Sequence, residues 1–308
     1  MDDIVKQKLS SLCSAIFFDE PMSKYTSIRV GGPADVLIYP KTIEEVQQLV
    51  ALAKSQRLPI TLLGAGSNLL VQDKGIRGLV LNLSQGFNQV RVESETKDLA
   101  DVYVGAGVGL PRLVDFCAEK GLAGAEVLSG IPGNVGGALI MNAGTKDGDI
   151  SEVLKSVTFI DKEGRLLTKQ KEYFSYKYRE SHFPKNSIVL SAVVQLKPLS
   201  TEMISGKIQK YKAYRLETQP LNIPSLGSVF QNPEGHKKIF AGKLIEDAGL
   251  KNVRVGGARI SAKHANWIVN EGGATAKDIL VLIGLVKDKV KEKFSVKLET
   301  EVKIVGEE

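Results

Sequence analysis

Apolar residues recur at helical spacing over 42–56, where Ile43, Val46, Leu49, Val50 and Ala53 form one stripe. Thr42 and Glu45 stand ahead of it as a T-x-x-E capping box. Pro59 then opens a short apolar strand, ITLL, which runs into a glycine turn, GAGSN, at 64–68, and a second strand follows at 78–83. That is a β-α-β pattern. From 88 to 105 the chain reads as two strands, and from Pro111 as a helix closed by Gly121, with proline in the first turn and glycine past the end. Strands return in SVTFID, an EGR turn at 163–165 and the alternating run IVLSAVVQLK at 188–197, which Pro198 ends.

A helix from about 200 to 216 marks a domain boundary, and the polar, proline-bearing connector ETQPLNIPSLGS follows it. Beyond lie a helix at 239–248 stopped by Gly249, a strand-like HANWIVN at 264–270 and an amphipathic helix at 275–294. The stripe of that last helix is Ile279, Leu282, Ile283, Val286, Val290 and Phe294. Its lysines, Lys287, Lys289, Lys291 and Lys293, alternate with acids and read as a solvated face. ETEVKIVG closes the chain as a strand. The elements predict an α/β (α+β) protein without internal repeats.

Composition narrows the class. At 308 residues with 43% hydrophobic and 25% charged positions, the chain buries a core without disulfide or metal staples. No apolar run approaches the length of a membrane span. The N-terminus lacks the basic start of a signal peptide, and Cys13 and Cys117 show neither metal nor redox spacing, so a cytoplasmic protein is expected. The net charge of +6 is spread along the chain. It suits attraction of an anionic small substrate better than binding of nucleic acid.

Candidate chemistry sits where the glycines cluster: 16 of the 30 glycines fall between 64 and 148. GAGSN fails as a dinucleotide fingerprint, because Leu69 stands at the third glycine position and no acidic residue ends the next strand. What remains is a turn of backbone N–H groups with Ser67 and Asn68 as side-chain donors, which is either a pyrophosphate nest or a plain tight turn. GIPGNVGGALIMNAG (130–144) allows a close backbone approach to a flat or phosphorylated ligand, or is an ordinary loop. Arg179, Ser228 and Glu301 are isolated polar residues whose default is the surface. His182, His236 and His264 complete neither a Ser-His-Asp pattern nor a metal set, so no metal is expected.

Seven segments in order resemble one family of flavoenzymes, the UDP-N-acetylenolpyruvoylglucosamine reductases. They are TSIRVGGPAD (26–35), LGAGSNLLV (63–71), GIPGNVGGALIMNAG (130–144), YRES (178–181), SLGSVFQNP (225–233), AGKLIEDAGL (241–250) and LETEVKIVG (298–306), and they span nearly the whole chain. The resemblance implies a two-subdomain FAD-binding fold of the PCMH, or vanillyl-alcohol-oxidase, type over residues 1–200 (about 1–84 and 85–200). A smaller α+β substrate-binding domain would occupy 201–308.

It further implies non-covalent FAD, NADPH as co-substrate, and reduction of UDP-N-acetylglucosamine enolpyruvate to UDP-N-acetylmuramate for peptidoglycan. FAD would meet Arg29, the turn residues Gly64, Ala65, Gly66, Ser67, Asn68 and Leu69, and the loop residues Gly130, Ile131, Pro132, Gly133, Gly137, Asn142, Ala143 and Gly144. Arg179 would stabilise the developing enolate, Glu301 would share that task, and Ser228 would deliver the proton to carbon. Tyr178, Gln219, Asn232, Arg259 and His264 would contact the substrate. The tight connector resembles the family's shorter form. This chain departs from the family pattern at Thr145, Lys146 and Asp147, at Gln231, and at Gln219, where the longer form carries lysine. Two other readings stay open on the residues alone: another oxidoreductase of this flavin fold acting on a sugar lactone or hydroxy acid, and a non-catalytic nucleotide-sugar binder.

Overall fold

A computed structural model describes residues 2–233 and 239–308; His236 lies outside them. Its helices are α1 (Asp3–Leu12), α2 (Ile43–Gln56), α3 (Leu110–Glu119), α4 (Val135–Met141), α5 (Thr201–Thr218), α6 (Ala241–Asp247) and α7 (Ala276–Phe294). The chain divides into two compact units, neither continuous in sequence. One holds the residues up to Phe18, Val36–Ala65 and Gly78–Tyr214; the other holds Asp19–Asp35, Gly66–Arg77 and Arg215–Glu308.

The first unit is built on a sheet whose strand order is Leu166–Gln170, Leu154–Ile160, Ile188–Pro198, Ala100–Gly105 and Val90–Glu95. Leu122–Ala123 pairs with the far end of the central strand. The central strand carries the alternating run of the sequence, yet Ile188 through Ala192 are all buried. A strand with neighbours on both sides and cover on both faces has no wet face to keep polar. Leu110, Leu113, Val114 and Cys117 of α3 join this core, as do Val46, Leu49, Val50 and Ala53 of α2. Ile60–Leu62 runs parallel to Leu79–Leu81.

The capping box at α2 forms only by half. Thr42 Oγ1 accepts the Glu45 N–H at 3.2 Å, but the Glu45 carboxylate accepts the N–H of Lys41 at 2.7 Å instead of reaching the Thr42 backbone. Two helices carry no such sequence signal. α1 is capped by Asp2, whose carboxylate accepts the Ile4 N–H. α4 is made from the glycine-rich segment read above as a loop. Its first N–H groups, of Val135 and Gly136, are taken by the carbonyls of Val108 and Ala106, both at 2.9 Å. Tertiary hydrogen bonds thus start a helix that propensity alone disfavours.

The second unit has its own core, under α7. A sheet in the order Ser225–Ser228, Trp267–Asn270, Ala258–Ile260, Arg254–Val255 meets the stripe of Ile279, Leu282, Ile283, Val286 and Val290, all buried. Burial of each such side chain is worth about 1.5–3 kcal/mol. A full capping box holds the start of α7: Thr275 Oγ1 accepts the Asp278 N–H and Asp278 accepts the Thr275 N–H. Asp73 adds to it by accepting from Ala276 and Lys277. The closing strand is short, Lys303–Val305, and lies parallel to Leu69–Val71.

Candidate functional site

In the first unit Arg179 is the second residue of a two-residue hairpin turn between Ser175–Lys177 and Glu180–His182. Its φ is +56°, a left-handed conformation that glycine usually fills. A bulky side chain held there is strained, and such strain concentrates at functional sites. Three hydrogen bonds hold the hairpin against the 130–144 segment. Asn142 Nδ2 donates to the Lys177 carbonyl at 3.0 Å, Ser181 Oγ to the Ile140 carbonyl at 2.7 Å, and the Arg179 guanidinium to the Gly144 carbonyl at 2.7 Å. The guanidinium also lies 5.1 Å from the centre of the exposed Tyr178 ring. Thus Tyr178, Arg179, Asn142, Ala143 and Gly144 are brought together.

The same unit holds Gly64, Ala65, Gly130, Ile131, Pro132, Gly133 and Gly137. A side chain built on Gly64 would meet nothing nearer than Asn134 Cβ at 3.9 Å, so the end of the Ile60–Leu62 strand stands beside the loop that precedes α4. Gly137 is exposed, and a Cβ there would meet nothing within 4 Å. Asn142 is buried, and its Oδ1 has no hydrogen-bond partner among the described residues. At Gly64 and Gly137 the surface is therefore bare backbone.

In the second unit the remaining turn residues meet the other two candidates. Gly66 has φ +63°, and a Cβ on it would strike the Tyr25 carbonyl at 2.0 Å, so only glycine makes this turn. Leu69 pairs with Lys303 in the parallel ladder. Asn68 Nδ2 donates to the Glu301 carbonyl at 3.0 Å, and the Asn68 carbonyl accepts the Lys303 N–H. The Glu301 N–H donates to the Val229 carbonyl at 2.8 Å, one residue after Ser228. Ser67, Asn68, Ser228 and Glu301 thus lie on neighbouring segments. Arg29 is exposed, at φ +57°.

The expected substrate residues of this unit are each engaged. Asn232 Oδ1 accepts the Ala241 N–H at 3.0 Å at the start of α6. Arg259 donates to Glu271 and to Asn252 Oδ1, each at 2.7 Å. His264 Nδ1 accepts the Asn266 N–H, and burial lowers its pKa below 6.5. The Gln219 N–H donates to the Arg215 carbonyl, while its buried Oε1 has no partner among the described residues.

Sequence reasoning missed Asn266. It is buried and clasps Phe230 from both sides: the Phe230 N–H donates to Oδ1 at 2.9 Å, and Nδ2 donates to the Phe230 carbonyl at 2.8 Å. That clasp fixes the strand just past Ser228. The available signal was an asparagine inside the apolar run HANWIVN. Among the described residues no group of acidic, His or Cys side chains could hold a metal.

Known proteins bear on both units. The model of the FAD binding domain matches residues 34–169. The chain is therefore an FAD-binding oxidoreductase, with the mixed helix and strand content that the sequence predicts. The model of the UDP-N-acetylenolpyruvoylglucosamine reductase C-terminal domain matches 219–305. UDP-N-acetylenolpyruvoylglucosamine reductase 1 of Bacillus cereus is 43% identical over 99% of this chain and 100% of its own length. The Clostridium botulinum reductase is 45% identical, over 95% and 93%. The crystal structure of the Thermus caldophilus reductase superposes with a TM-score of 0.78 at 37% identity, covering 94% of this chain and 97% of that one. The chain belongs to the UDP-N-acetylenolpyruvoylglucosamine reductase family.

The first unit's surface fits the flavin. A planar ring needs a wall that no side chain obstructs, which Gly64 and Gly137 leave open. The unmet Asn142 Oδ1 is a buried acceptor of the kind a cofactor N–H would satisfy.

Proposed function

We propose that this chain reduces UDP-N-acetylglucosamine enolpyruvate to UDP-N-acetylmuramate at the expense of NADPH, the step that supplies the muramyl precursor of peptidoglycan. FAD, when bound, would supply the hydride chemistry that links NADPH to the sugar. Residues 1–200 serve as the flavin region and 201–308 as the substrate domain. The reaction belongs to the cytoplasm, in keeping with two buried cysteines present as thiols.

The chain's own residues manage charge and one proton. Reduction at the enolpyruvyl methylene leaves an enolate next to a carboxylate. Arg179, a fixed cation, takes that carboxylate and stabilises the developing negative charge. Because its backbone and guanidinium are already held, little reorganisation accompanies the step. Glu301 shares the task of stabilising that charge. Ser228 delivers a proton to the carbon alpha to the carboxylate, and its hydroxyl is a weak acid that only a carbanion-like partner can deprotonate. Tyr178, Gln219, Asn232, Arg259 and His264 bind the rest of the UDP-sugar. Arg29, Gly64 through Leu69, and the 130–144 residues named above bind FAD.

The observation that supports the reading is the hydrogen bond from the Glu301 N–H to the Val229 carbonyl, which brings the Glu301 backbone next to the segment that carries Ser228. An alcohol oxidase of the same flavin fold has no use for a proton donor directed at carbon. The test is anaerobic absorption spectroscopy. NADPH should bleach the yellow holoenzyme, and the enolpyruvyl UDP-sugar should restore the colour with formation of UDP-N-acetylmuramate. Bleaching without recovery would overturn the assignment.

A further inference from the structure

Trp267 is the chain's sole tryptophan. It is 4% exposed, and its indole Nε1 is buried with no hydrogen-bond partner among the described residues. A buried indole N–H ordinarily finds an acceptor, because leaving it unmet forfeits its hydration without return.

Its place in the sheet is informative. Trp267 is the cross-strand partner of Ser228. The Val229 N–H donates to the Asn266 carbonyl at 2.8 Å, which makes Ser228 and Trp267 a non-hydrogen-bonded pair. Side chains of such pairs stand on one face and at their closest approach. Val229 and Ile268, the next residues along the two strands, pack into the core under α7, so the Ser228–Trp267 pair stands on the other face. The indole therefore shares the face of the proposed proton donor. His264 lies next to it, with ring centres 6.3 Å apart.

We infer that Trp267 is a substrate-binding residue whose indole N–H is held for an acceptor oxygen of the bound UDP-sugar, beside Ser228. The inference rests on the reductase reading above. An indole suits this position because it only donates. It can orient an anionic ligand without exchanging a proton with the serine, and its ring excludes water from the proton's path.

A single tryptophan gives a single indole resonance, so the test reads one atom pair. The 15N-labelled holoenzyme is titrated with the enolpyruvyl UDP-sugar without NADPH, and binding is followed independently by the flavin absorption spectrum. The indole proton should move downfield and saturate with the Kd that the flavin reports. Trp267→Phe, which keeps the ring and removes the donor, should weaken sugar binding by about tenfold. An indole resonance that stays in place while the flavin spectrum reports saturation would overturn the inference and leave the reductase reading intact. If the sugar moves neither signal, the reductase reading falls and this inference with it.

Discussion

The side-chain amide of Asn68 holds the backbone carbonyl of Glu301, 233 residues away, at 3.0 Å. A residue of the glycine turn, expected only as a cofactor ligand, is thus also the support of a proposed catalytic carboxylate. Asn68→Ala should cost about 1 kcal/mol of stability. It should also slow recovery of flavin colour on adding the UDP-sugar more than it slows bleaching by NADPH. Stopped-flow measurement of the two half-reactions checks this, and equal slowing of both would leave Asn68 a cofactor ligand alone.

Ser228→Ala tests the proton donor. Loss of a general acid costs roughly 10²–10⁴ in rate. The variant should still be bleached by NADPH and should recover its colour slower by that factor. Unchanged recovery would remove Ser228 from the mechanism.

Arg179 sets strain against function. Arg179→Gly relieves a left-handed φ of +56° and loses the bond to the Gly144 carbonyl. Each effect is about 1 kcal/mol with opposite sign. Thermal unfolding should therefore shift little, while turnover falls by roughly 10²–10³, as for removal of a charge-stabilising donor. A variant that unfolds much earlier would show that the arginine serves mainly the fold.

His264 predicts a pH dependence. Burial, aided by Lys251 and opposed by Glu246, holds its pKa below the usual 6.5. The unfolded chain binds the proton near 6.5 and the folded chain only at lower pH. In that window the unfolded state carries more protons, so stability is present above it and is lost as pH falls. Urea midpoints between about pH 5 and 7 should fall more steeply for the natural protein than for His264→Gln. Parallel curves would show that the imidazole titrates normally.

The cysteines should be silent. Burial, then the nearby Glu45, pushes the Cys13 thiol up to about 12; burial, then Glu126, does the same for Cys117. A thiol reagent near pH 8 should label neither in the native protein and both after unfolding. Rapid native labelling would mean that one of these sites opens.

What the sequence determined by itself is what local spacing encodes. The stripes of α2 and α7 were legible because apolar positions at a period of 3.6 residues have one sensible use. The turn at 64–68 was legible because its glycines free the backbone to bend sharply. The motifs around Arg179, Ser228 and Glu301 were legible through likeness to a family. The tertiary structure alone decided the rest. α4 forms in a glycine-rich segment because Val108 and Ala106 supply carbonyls to its first N–H groups. The strand Lys303–Val305 finds Leu69–Val71, and Asn266 finds Phe230, by pairings that no periodicity announces. Spacing along a chain fixes which face of an element is apolar. It does not fix which distant carbonyl an amide will meet, because that choice is settled by how the packed elements satisfy one another's polar groups once water has been excluded.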